Sequence, residues 1–153
     1  MNTKRAVKAA LTSALALGLS FNLGACSSSG SSKTSSQQLA MALAEQTGQN
    51  GRACIRTSDI RGYGMDGQNQ INIDARPKYY IATTLYTCQN IDLAPRALFD
   101  SRFSEACGGS TYITTRNGRC PIDKIFEFAN RDEAFTAVRQ AKETIEKQKG
   151  DSK

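Results

Sequence analysis

Histidine and tryptophan are both missing from this chain of 153 residues. Without histidine there can be no Ser–His or Cys–His nucleophile pair, and the commonest metal ligand and the ordinary pH switch are gone too. Proline is scarce, at three residues, and aromatic residues make up only 7%. No acid occurs before Glu45. A hydrophobic content of 39% and a mean hydropathy of −0.45 exclude a polytopic membrane protein. The length allows one modest domain.

What is present starts with an address. Lys4, Arg5 and Lys8 make a positive start, residues 9–23 are mostly apolar, and the run ends in Leu23-Gly24-Ala25-Cys26. A stretch this short, with small residues at its exit, reads as a secretory signal over residues 1–25 rather than a membrane span. Leu-Gly-Ala-Cys resembles the bacterial lipobox. The resemblance implies a diacylglycerol on the Cys26 sulfur, cleavage before Cys26, and acylation of the new amino group. Several acyl chains, each contributing about 0.8 kcal/mol per buried CH₂, make such an anchor effectively permanent. Ser27, and not Asp, follows the cysteine; within the lipoprotein resemblance this implies onward transport to the outer membrane, facing the periplasm.

Three basic residues lie before Cys26, which leaves 17 against 14 acids and a net charge of +3 in the mature chain. That balance lends nucleic-acid binding little support. Residues 27–38 read SSSGSSKTSSQQ, without a bulky apolar side chain. Such a stretch cannot bury enough surface to offset its ordering entropy. Residues 26–38 are therefore expected to be the lipidated cysteine and a flexible tether, with a reach of about 20 Å.

A short helix and connection are expected over residues 39–52, with Ser36 as N-cap and Gly48 as stop. Residues 53–130 read as a β domain. The segment 54–63 is rich in strand formers, residues 70–74 and 79–86 alternate, and Asp66-Gly67 suits a hairpin turn. Arg76-Pro77 separates the second of these strands from the third. Residues 93–103 are expected to form an irregular helix or a loop plugging one end of the sheet. Residues 111–115 and 120–128 are strands joined by Asn117-Gly118, the strongest hairpin signal in the chain. Residues 131–153 form a C-terminal helix and tail, with Asn130 and Glu133 resembling a capping box and Ala134, Phe135, Val138, Ala141 and Ile145 as the apolar stripe. The expected class is mainly β (α+β): a small antiparallel sheet or partly closed barrel of about five strands, disulfide-stapled, with a C-terminal helix.

With Cys26 lipidated, Cys54, Cys88, Cys107 and Cys120 remain, an even number in a small exported domain. Two disulfides follow, and each is worth about 3 kcal/mol for a closed loop of ~15 residues. Four cysteines allow three pairings. The expectation is Cys54–Cys120, tying the opening strand to the closing one, with Cys88–Cys107 pinning the 93–103 excursion. The gaps contain no Cys-x₂-Cys, which argues against a zinc knuckle and a redox motif alike.

Cys54-Ile55 with Ile60, Leu85-x-x-Cys88, Cys107-Gly108-Gly109 and Cys120-Pro121-Ile122 resemble a family of small exported bacterial proteins of unknown function. The resemblance covers residues 53–128. Many members carry Asp after the Gly that follows the third Cys, where this chain has Gly109 and then Ser110. No activity, substrate or cofactor comes with it.

The acids Asp59, Asp66, Asp74, Asp92, Asp100, Glu105 and Asp123 sit in no catalytic motif, and the glycine pairs belong to turns. Arg52, Arg56, Arg61, Arg76 and Lys78, with Tyr63, Tyr79 and Tyr80, are the residues available for a basic aromatic face. No catalytic, cofactor or metal-binding set is expected. The leading expectation is an envelope lipoprotein, held to the membrane through Cys26, that binds an envelope protein or polymer without enzymatic activity. The alternative is an acid- or thiol-based envelope enzyme or a zinc-binding domain.

Overall fold

The computed structural model describes residues 34–67, 69–88, 98–100, 104–115 and 118–151. The expected signal segment, Cys26 and most of the expected tether lie outside them, as do Asp92, Phe103 and Asn117. The described residues belong to one compact unit spanning residues 32–153.

Among the described residues the helices and strands follow in order: helix α1 (Ser35–Thr47), β1 (Cys54–Arg56), β2 (Ile60–Met65), β3 (Gln70–Ala75), β4 (Lys78–Thr84), β5 (Leu98–Asp100), β6 (Glu105–Cys107), β7 (Tyr112–Thr115), β8 (Gly118–Phe128) and helix α2 (Arg131–Gly150). Six strands form one sheet in the order β2-β3-β4-β8-β7-β5, with every neighbouring pair antiparallel. β1 and β6 form a separate antiparallel ribbon. The expected class stands: a mostly antiparallel, curled half-barrel with a C-terminal helix and two disulfides. The five expected strands correspond to β1 with β2, β3, β4, β7 and β8. A 3-10 turn over Thr57–Asp59 splits the first of them, and β5 and β6 are additional. β5 occupies part of the segment expected to be an irregular plug.

The sheet buries both faces. Ile71, Ile73 and Ala75 of β3 join Tyr80 and Ala82 of β4, Ile113 of β7, and Cys120, Ile122 and Ile125 of β8 inside the curl. Alternation sends Ile81 of β4 to the other face, where it meets Phe126 and Phe128 of β8, Leu39 and Leu43 of α1, and Val138 and Ala141 of α2. β8 serves both cores because its parity changes midway. Its pairing with β4 steps from Lys124 to Ile122, leaving Asp123 as the extra residue of a bulge. Ile122 and Ile125 therefore face the same side despite a spacing of three. The sheet's outermost strands, β2 and β5, meet through side chains. Tyr63 and Phe99 make an edge-to-face contact with ring centroids 6.2 Å apart.

The helix ends show how local sequence places these layers. α1 starts before Leu39, because Thr34 and Gln37 form a capping box. Thr34 and not Ser36 is the N-cap, and the last residues of the Ser-rich stretch are helical. Ser36 is instead buried, with its hydroxyl donating to the Thr84 carbonyl. Gly48 ends the helix with φ +68° as expected, its N–H donating to the Ala44 carbonyl. α2 starts at the expected cap: the Glu133 N–H donates to Asn130 Oδ1 at 2.9 Å. The Glu133 carboxylate reaches one residue further back than a capping box requires, accepting from the Ala129 N–H at 2.9 Å. Among the described residues no helix is long and apolar enough to cross a membrane.

Candidate functional site

The expected disulfide pairing is corrected. Cys54 bonds Cys107 and Cys88 bonds Cys120, so the two closed loops interleave where nested loops were expected. The reason lies in strand order. Cys54 of β1 stands directly opposite Cys107 of β6, whereas Cys120 of β8 lies in the curl's interior beside Cys88.

The β1–β6 ribbon is held against the sheet by a tight backbone stack. The Ile125 N–H donates to the Gly51 carbonyl at 2.8 Å, the Ala53 N–H to the Ile125 carbonyl at 3.2 Å, and the Gly108 N–H to the Ala53 carbonyl at 3.1 Å. A Cβ on Gly108 would overlap the Gly51 carbonyl oxygen, so glycine is required there for close approach. Beyond Gly108 the chain turns through Gly109, at φ +82°, and Ser110. The Thr111 hydroxyl accepts from the Cys107 N–H at 2.7 Å and closes this turn.

The turn forms one wall of a groove of about 630 Å³. Leu85, Tyr112, Pro121 and Ile122 supply its apolar surface, while Glu105 and Asp123 bring carboxylates to it. Leu85 is 49% exposed and Tyr112 36%, so two large side chains present apolar surface to this groove. Pro121 lies between them: its carbonyl accepts from the Leu85 N–H at 3.1 Å and its Cα is paired with Tyr112. The Arg119 guanidinium stacks 3.7 Å from the Tyr112 ring centroid. Cys107 lines the same groove, so the exposed disulfide and the apolar surface adjoin.

The remaining candidate residues are scattered. Asp59 pairs with Arg56 at 3.7 Å, and Asp66 with Lys142 of α2 at 3.0 Å. The proposed basic aromatic face does not assemble. Tyr63 and Tyr80 turn into the curl, whereas Tyr79 packs against Phe135 of α2, with ring centroids 6.0 Å apart. Lys78 pairs with Glu127 at 3.0 Å. Burial raises the phenol pKa of both Tyr63 and Tyr79. Glu105, named from the sequence only among acids in no catalytic motif, stands at Glu105-x-Cys107, the i, i+2 spacing that puts both on one face of a strand. The signal was there but needed β6 to be recognised.

Fold and groove define a disulfide-stapled α+β domain with a concave surface of mixed apolar and acidic character. The chain belongs to a family of unknown function, DUF6491, which it matches over residues 8–148. No curated protein and no solved structure matches it.

Proposed function

We propose that this protein is a lipid-anchored lipoprotein of the bacterial envelope whose folded domain binds an envelope protein or polymer, at the outer membrane facing the periplasm. The observation that carries the reading is Leu23-Gly24-Ala25-Cys26, placed after a basic start and an apolar run. A Ser-rich stretch separates Cys26 from α1, which suits a domain held near a membrane but able to turn. Two disulfides suit an oxidising compartment. The Leu85–Tyr112 groove supports a binding role, since large apolar groups exposed in a concavity gain most by being covered.

The test is fractionation with acyl labelling. The chain incorporates labelled palmitate and sediments with outer membranes, whereas Cys26→Ala takes up no label and remains unprocessed or becomes soluble. Membrane association and labelling that survive Cys26→Ala would sink the anchoring. Crosslinking from position 112 in intact cells tests the groove; a partner captured there and lost with Leu85→Asp is the expected result.

A further inference from the structure

Three potential ligand atoms meet on one side of the β1–β6 ribbon. The sulfurs of Cys54 and Cys107 and a carboxylate oxygen of Glu105 all lie within 4.8 Å of one another. Register explains the cluster. Cys54 stands opposite Cys107, and Glu105, two residues before Cys107, projects to the same face. Arg56 stands opposite Glu105, but its guanidinium reaches Asp59. In the oxidised chain the sulfurs are bonded to each other and are not available as thiolates.

We propose that Cys54 and Cys107, once reduced, form with Glu105 a three-ligand site for a thiophilic divalent cation of the zinc class. The two disulfides differ in what can reach them. Cys54 is exposed and Cys107 half-buried at the groove, whereas Cys88 and Cys120 are 7% and 2% exposed within the apolar core. Exchange requires a thiolate to approach a disulfide sulfur, so a dithiol reductant opens the first pair and leaves the second closed. Its first thiolate attacks the Cys54 sulfur, forming a mixed disulfide and releasing Cys107 as thiolate. Its second thiolate then attacks its own sulfur in that mixed bond and releases Cys54. The reductant leaves as a disulfide, and the chain has gained two electrons.

A thiophilic dication between two thiolate sulfurs and a carboxylate replaces their mutual repulsion with ligation. Zinc takes sulfur at about 2.3 Å and carboxylate oxygen at about 2.0–2.2 Å, so the two sulfurs, bonded to each other in the oxidised chain, must part to hold it. Three protein ligands leave a fourth position open. The metal would keep β1 and β6 cross-linked after the covalent bond is gone.

The test uses the full-length chain in detergent, treated with limiting phosphine reductant, which does not itself compete as a thiol ligand. Alkylation and peptide mass mapping report which cysteines have opened; zinc competition against a chromophoric chelator and cobalt absorption report binding. Cys54 and Cys107 alkylate first, and the reduced chain binds cobalt with a sulfur-to-metal charge-transfer band that zinc abolishes. Glu105→Gln keeps the disulfide and the fold and weakens zinc binding by about tenfold or more. The proposal is overturned if Cys88 and Cys120 open first, if the reduced chain binds neither ion, or if Glu105→Gln binds as tightly as the parent.

Discussion

Tyr80 is the residue whose surroundings most change its chemistry. It lies inside the curl, and its hydroxyl donates to Glu127 Oε2 at 3.2 Å. Burial, followed by the charge and hydrogen bond of Glu127, raises its phenol pKa to about 12. Because the folded value exceeds the ordinary value of about 10, the folded state favours the neutral phenol. The stabilisation is complete below about pH 10 and is lost as pH rises from there through about 12. Phenolate absorbance during alkaline titration therefore extends to about pH 12, and Tyr80→Phe removes the latest part of the rise; a Tyr80→Phe curve identical to the parent's would refute the assignment. Gln49 matters for a different reason. Its side-chain amide donates to the Glu127 carbonyl and accepts from the Glu127 N–H, both at 2.8 Å, replacing a missing strand neighbour. Gln49→Ala is expected to cost about 1–3 kcal/mol in urea unfolding, because both backbone groups lose their partner. Nothing at the sequence level marks Gln49, since its partner is 78 positions away.

At the scale of elements, legibility followed range. Alternation over residues 79–86 puts Tyr79, Ile81 and Leu85 on one face if the strand runs that far; Tyr79 and Ile81 do share the helix-facing side, but β4 ends at Thr84 and Leu85 opens into the groove. The first hairpin stands where Asp66-Gly67 implied, although its loop is longer than a two-residue turn, with the Asp66 N–H bonded to the Gln70 carbonyl at 3.0 Å; β7 and β8 pair from Thr115 and Gly118 onward, and Asn117 lies outside the described residues. The β1–β6 ribbon was illegible because three-residue strands carry no usable period and their partners lie some fifty positions apart. Gly108 is the joint on which that ribbon rests. Gly108→Ala forces the new methyl group against the Gly51 carbonyl and the Ile125 N–H. A loss of about 1–3 kcal/mol or more in thermal or urea unfolding is expected, and a neutral substitution would mean that the stack is looser than its hydrogen bonds indicate.

Over the whole molecule, one sheet has to bury two faces with few large side chains. It does so by curling around one core and laying two helices over the other, and Cys88–Cys120 is built into the first of these. Replacing both of these cysteines by Ala is expected to cost about 2–5 kcal/mol, since the bond closes a 32-residue separation. Urea unfolding measures this directly; a loss under about 1 kcal/mol would mean that apolar packing alone holds the curl. The sequence alone determined the periodicities, the turn residues, the cap of α2 and the number of cysteines available to pair, because each depends on neighbours within a few positions. Tertiary structure alone decided which cysteines meet, which face Tyr80 occupies, and that Glu105 stands beside the exposed pair. These outcomes depend on strand order and on the Asp123 bulge, and both arise from contacts between segments far apart in the chain.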